Sequence, residues 1–139
     1  MLSALDISTS ALVAQRIRMD AISGNLANMS TPINESGDNE PYQPRFAIFQ
    51  TDTAVGANGG VGVKVASVET AQVEPRWKYQ PNHPLAQKDG PHKGYVAYPG
   101  IDMMTEFTDA LEAARSYEAN LGAMEITKDL AQQTLRILA

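Results

Sequence analysis

The side chains with the most obvious chemical potential in this chain are His83 and His92, with Asp89 between them. Two imidazoles and a carboxylate are the raw material of a metal site or an acid/base set. Eight residues separate the two histidines, which is the wrong spacing for a helical metal pair, and no third ligand is compelling. His83 lies between Asn82 and Pro84, the setting of a turn residue. The chain has no cysteine, so disulfides, thiolate metal sites and cysteine nucleophiles are excluded. The expectation is therefore a protein that is not an enzyme, with no catalytic, metal or cofactor-binding residue.

A second polar constellation is Asn25 and Asn28, three residues apart and followed by Pro32. Asparagines near a helix C-terminus tolerate left-handed geometry and can bond freed carbonyls. That reading makes them structural, and it directs attention to the elements around them.

All eight prolines lie between Pro32 and Pro99, and only Gly24 and Gly122 of the ten glycines fall outside residues 32–100. Proline is excluded from helix interiors and glycine is costly there, so the ends are free to be helical while the middle is not. The division expected is an N-terminal helix within residues 1–31, a loop-and-strand insert over 32–100 and a C-terminal helix within 101–139. The fold class is α+β: two long helices packed as an antiparallel, coiled-coil-like pair, with a small β-rich insert between them.

In the first segment Leu5, Leu12, Met19 and Leu26 recur every seven residues, with Leu2, Ile22 and Met29 at the complementary spacing. In the last, Met103, Phe107, Ala110, Ala114, Tyr117, Leu121, Met124, Ala131, Leu135 and Leu138 continue one heptad register, broken only by Lys128. A narrow apolar seam of period 3.5 keeps one helix face against a partner. Asp102 after Pro99-Gly100 can cap the last helix, with Glu106, Asp109 and Glu112 near its positive end. At about 1.5 Å per residue the helices span roughly 40 and 55 Å, against roughly 37 Å for a compact globule of this length. They cannot both be hidden in one ball, so part of each seam needs other subunits.

In the insert, Val61, Val63, Val65 and Val68 mark a strand, and 46–49, 76–79 and 94–98 read as further short ones. Residues 34–43 are polar and read as loop. Such a module is too small for a deep active-site cleft. The net charge of -5, from 16 acids against 11 bases, gives no reason to bind nucleic acid or an anionic membrane. No stretch approaches the roughly 20 apolar residues of a spanning helix. Asp6 and the polar residues after it also do not fit a cleaved signal peptide.

Gln15-Arg16-Ile17-Arg18-Met19-Asp20, followed by Asn25-Leu26-Ala27-Asn28 and Thr31, resembles the N-terminal signature of the flagellar rod and hook axial protein family. The series from Tyr79-Gln80-Pro81-Asn82-His83-Pro84 through Gly94-Tyr95-Val96 to Ile101-Asp102 resembles, more narrowly, a short proximal rod member. Here Pro91-His92-Lys93 adds a short insertion to the usual run. Ala114-Arg115-Ser116-Tyr117-Glu118-Ala119-Asn120, with Lys128 downstream, is similar to the C-terminal helix of the same member. The resemblance is weakest from residue 33 to 53.

The resemblance implies a structural subunit of the basal-body rod, whose terminal helices pair and pack into a tube that transmits torque and encloses the export channel. It implies copies of the chain, other rod proteins, the flagellar export apparatus and the MS-ring or rod base as partners, with no nucleic acid and no small-molecule substrate. It implies location in the periplasm-spanning rod after export without a cleaved signal. The residues expected to carry assembly are Leu5, Leu12, Met19, Ile22, Leu26, Asn25 and Asn28 in the first helix, and Phe107, Tyr117, Leu121, Met124, Leu135 and Leu138 in the last. Another short proximal rod subunit, or a secreted coiled-coil or export-adaptor protein, is the alternative.

Overall fold

The computed structural model describes residues 2–33, 37, 40–55 and 59–138, and for Leu2 and Leu138 the backbone only. Helix α1 covers Leu2–Asn28 and helix α2 covers Met103–Leu138. Between them lie β1 (Arg45–Asp52), β2 (Gly62–Thr70), β3 (Arg76–Tyr79) and β4 (Tyr95–Tyr98). The fold is thus the expected α+β arrangement of two terminal helices around a small antiparallel β region. The loop expected over 34–43 falls partly outside the described residues, and the part that is described has no regular structure.

The helix limits follow from local chemistry. Helix α1 stops where Thr31 N–H turns back to Asn28 O at 3.0 Å, just before Pro32, which cannot continue a helical ladder. Helix α2 begins at a capping aspartate: Asp102 Oδ1 accepts Met104 N–H at 3.1 Å and Asp102 Oδ2 accepts the Thr105 hydroxyl at 3.0 Å. The Asp102 carbonyl takes the first helical bond, from Glu106 N–H at 3.1 Å.

Strands β1 and β2 form one antiparallel pair and β3 and β4 another. In the first pair Ile48 lies opposite Ser67 and Phe49 opposite Val65, so Ala66 is left over as a bulge. That extra residue is the physical basis of the break in valine alternation between Val65 and Val68. The hairpin is fastened to α1 by Ser10, whose hydroxyl accepts Val63 N–H at 3.1 Å and donates to Ile7 O at 2.7 Å. Gly62 is buried at this crossing, where a β-carbon would stand 2.8 Å from Ser10 Oγ and 3.0 Å from Val55 Cβ. Only a residue without a side chain lets the strand come so close to the helix.

The second pair is closed by the segment between its strands. Gln80 N–H donates to Gly94 O at 2.9 Å, Gly94 N–H to Gln87 O at 2.8 Å and Gln87 N–H to Tyr95 O at 3.0 Å. Gly94 takes a positive φ of 80° at the entry to β4, where the Tyr79 ring leaves no room for a side chain. Pro91, His92 and Lys93 lie in this segment, and the His92 ring stacks on Trp77 with centroids 4.0 Å apart and planes 4° from parallel. Tyr95 meets both His92 and Tyr79 edge-on. The segment therefore covers the β3–β4 sheet as an aromatic cap.

The hydrophobic core is thin. Among the described residues it consists of Ala14, Ile22, Val96, Ile101 and Ala113. The accessible surface is 9409 Å², whereas a compact monomer of 15.0 kDa has about 7,000 Å². The excess reflects helices that flank the β module as bars rather than enclosing it.

Candidate functional site

The two asparagines singled out in the sequence do different work. Asn28 stays local: its Nδ2 donates to Gly24 O at 2.9 Å, and its Oδ1 accepts the Thr31 hydroxyl at 3.3 Å. Asn25 is only 2% exposed and joins three elements. Its Oδ1 accepts Arg45 N–H at 2.8 Å and the Tyr42 hydroxyl at 3.2 Å. Its Nδ2 donates to Arg45 O at 2.9 Å and to the Glu106 carboxylate at 3.2 and 3.3 Å. One side chain on α1 thereby fixes the start of β1 and the first turn of α2.

These contacts establish that α1 and α2 run antiparallel, since the end of α1 meets the start of α2. Arg18, two turns back along α1, reaches Asp109 at 3.9 Å and Glu112 at 3.6 Å. Both pairs lie at the solvent-exposed rim, where such ion pairs contribute about 0–1 kcal/mol. Ala14 and Ala113 are the best buried residues of the helix contact, and their small side chains let the helix backbones approach closely.

Burial pushes the Glu106 carboxyl above its ordinary value; the Asn25 hydrogen bond partly offsets the shift and the neighbouring Asp109 charge adds to it. Beside it runs a groove of about 350 Å³ lined by Arg18, Ile22, Asn25, Phe46, Phe49 and Glu106 among others. It is open and holds no arrangement of nucleophile, base and oxyanion donors. His83 Nδ1 accepts Leu85 N–H at 3.1 Å within its own turn, and His92 is occupied by Trp77. Among the described residues no three His, Cys, Asp or Glu side chains are grouped to hold a metal ion.

The residues expected to carry assembly divide by exposure. On α1, Ile22 and Asn25 are buried, while Leu5, Leu12, Met19, Leu26 and Asn28 are half-buried. On α2, Tyr117 and Met124 are half-buried, whereas Phe107, Leu121 and Leu135 are 50%, 42% and 67% exposed. The side chain of Leu138 lies outside the described residues.

The covered stripe of α2 runs through Glu106, Ala110, Ala113, Tyr117, Asn120, Met124, Thr127 and Ala131. It shares Ala110, Tyr117, Met124 and Ala131 with the heptad seam read from the sequence, but takes the residue before Phe107, Ala114, Leu121 and Lys128. The small and polar members face the rest of the chain and the large apolar ones face outward. Exposed Met104, Leu111, Ile126, Leu130 and Ile137 extend that outward face; none belongs to the heptad seam, so periodicity did not select them.

Sequence reasoning also passed over Glu106 as a partner of Asn25, and over Tyr42 and Arg45 altogether. Their only signal was the asparagine itself, a polar residue three positions from Ile22. Asn25→Ala is expected to lower unfolding stability by about 1–3 kcal/mol, because buried polar groups lose their partner; urea denaturation followed by circular dichroism measures it. Because the Glu106 pKa is raised on folding, its contribution is fully present below the ordinary carboxylate range and is lost as pH rises through the folded value. Glu106→Gln is therefore expected to melt higher than the parent at neutral pH, with the gap closing as the pH is lowered toward the ordinary glutamate range.

The same sequence segments recur in flagellar rod proteins. Residues 5–32 match the family described as "Flagella basal body rod protein", and residues 92–137 match "Flagellar basal body rod FlgEFG protein C-terminal". The chain is 36% identical to the flagellar basal-body rod protein FlgC of Salmonella typhimurium, covering 99% of this chain and 97% of that protein. It is 35% identical to the FlgC of Bacillus subtilis, with 96% and 95% covered, and 33% identical to that of Borreliella burgdorferi, with 98% and 96% covered. A likeness of this level, held from α1 through the β module to the end of α2, means that the chain belongs to the FlgC family of flagellar basal-body rod proteins.

Proposed function

We propose that this chain is a structural subunit of the flagellar basal-body rod and acts by packing its helices against neighbouring subunits rather than by catalysis. The observation that carries this reading is the outward apolar face of α2, from Met104 through Phe107 and Leu111 to Ile126, Leu130 and Ile137. A solitary soluble chain rarely leaves so much apolar surface on one element, and a subunit partner is the usual reason. Helix α2, with 36 residues, is also nine residues longer than α1, so its last turns extend beyond the helix it packs on by about 14 Å.

Residues 1–31 and 101–139 are the axial part and residues 32–100 the insert that positions it. The seam residues Leu5, Leu12, Met19, Ile22 and Leu26, with Phe107, Tyr117, Leu121, Met124, Leu135 and Leu138, serve as packing positions shared between the chain's own helix pair and its neighbours. Asn25 and Asn28 hold the end of α1 in place. Copies of the chain and other rod proteins are the partners, joined by heterologous contacts that repeat without closing and so generate a helical tube. That tube is the proximal rod, a torque-transmitting shaft around the export channel that spans the periplasm. The subunit reaches it through the flagellar export apparatus and meets the rod base and MS ring. No helix among the described residues is long and apolar enough to cross a membrane, in keeping with a subunit held by protein contacts.

Mass spectrometry of purified hook–basal bodies is expected to find the chain in a small fixed ratio to the other rod subunits; its absence from intact rods sinks the proposal. Leu121→Asp places a charge on a seam residue of α2 that is 42% exposed. It is expected to leave the chain synthesised and folded but to abolish rod assembly and swimming, and normal motility in that variant contradicts the assignment of this position.

A further inference from the structure

At the end of the molecule where α1 stops, a second groove of about 460 Å³ is lined by Met29, Arg76, Trp77, Lys78, Tyr98 and Pro99 among others. It combines an apolar and aromatic wall with two exposed cations on one strand. Neither Arg76 nor Lys78 has an ion-pair partner among the described residues. Being two residues apart on β3, they lie about 6.6 Å from each other along the strand.

The far half of α2 carries the complement. Glu125 and Asp129 are exposed, lie one turn apart and have no ion-pair partner among the described residues. Their separation along the helix is about 6 Å. Like charges at this spacing are mildly unfavourable on an isolated helix, and a pair of cations held opposite them removes that cost. Next to them Ile126 and Leu130 are 64% and 54% exposed, also one turn apart. This part of α2 therefore presents two carboxylates beside two aliphatic side chains, and the groove presents two cations beside Tyr98 and Pro99.

The two surfaces cannot meet within one chain. Pro99 is next to the start of α2, and Glu125 is 22 residues beyond Met103, or about 33 Å along a straight helix. We infer that the groove formed by β3 and the end of α1 receives the Glu125–Leu130 face of α2 from a second copy of the chain, with Arg76 and Lys78 paired to Glu125 and Asp129. The joined surfaces differ, so the contact is heterologous and leaves the pair with one groove and one helix face free for further copies. This inference rests on the rod reading and specifies one of the contacts by which copies would adjoin.

The chain has no cysteine, so a double variant, Lys78→Cys with Asp129→Cys, reports on this contact alone. Rods purified from cells making it and oxidised with diamide are expected to yield disulfide-linked ladders of this chain on non-reducing gels, absent from either single variant. The inference is overturned if the double variant enters rods but stays monomeric on the gel, or links to a different rod protein. If the unaltered chain is missing from purified rods, the rod reading itself fails and the inference with it.

Charge reversal gives a second measurement that does not depend on cross-linking. Arg76→Glu with Lys78→Glu, and separately Glu125→Lys with Asp129→Lys, are each expected to reduce incorporation into rods at least several-fold. All four changes together are expected to restore it to within about twofold of the parent. Failure of the fourfold variant to exceed both doubles overturns the pairing.

Discussion

The placement of both long helices depends on one buried amide. Asn25 lies on α1, yet its carbonyl oxygen and its amino group are used by residues 17, 20 and 81 positions away in the sequence. A buried side-chain amide must find partners for both ends or carry a desolvation penalty. That requirement admits one register: β1 must pass with the Arg45 backbone at the amide, and the first turn of α2 must bring Glu106 to its other side. Buried apolar residues such as Ile22 on α1 and Ala113 on α2 supply attraction but little direction, because sliding by one turn exchanges one aliphatic neighbour for another. The polar contact provides the direction.

Its cost falls on Glu106. The carboxylate accepts from Asn25 in a partly desolvated position, and burial outweighs that hydrogen bond in setting its proton affinity. Position near the α2 N-terminus, where the helix dipole favours negative charge, makes a carboxylate tolerable there. The arrangement trades some stability of the isolated chain for a defined geometry at the junction of both helices and the insert.

A defined geometry with a thin core suits a subunit that completes itself by assembly. The chain buries alanines between its helices and leaves phenylalanine, leucine and isoleucine outside, the reverse of what a solitary globule does with large apolar residues. Close helix contact through Ala14 and Ala113 makes a slim bar, and the large side chains remain available to neighbours. Any partner that binds only the folded form shifts the folding equilibrium in its favour, so the exposed face links assembly to stability. The insert is held tightly by comparison: Gly62 admits the β1–β2 hairpin against α1, and the His92 ring on Trp77 closes the β3–β4 pair. These features fix the β1–β2 hairpin along α1 and the β3–β4 pair beside the junction where β4 leads through Pro99 and Asp102 into α2.

The sequence alone determined the parts list. Segregation of proline and glycine set the limits of both helices to within a residue or two, the valine and aromatic runs marked all four strands, and Asp102 was legible as the cap of α2. The ordered motifs carried the family. These are properties of local chemistry, since helix termination, capping and strand preference depend on residues within a few positions of each other. Tertiary structure alone decided which side of α2 turns inward, which strands pair, what Asn25 holds and where the His92 ring lands. A heptad pattern defines a stripe only to about one residue, or 100° of helix rotation, and the identity of the covering surface then selects between neighbouring positions such as Ala113 and Ala114. A buried polar group, likewise, is read by partners that adjoin it only after the chain has folded, and no local pattern names them.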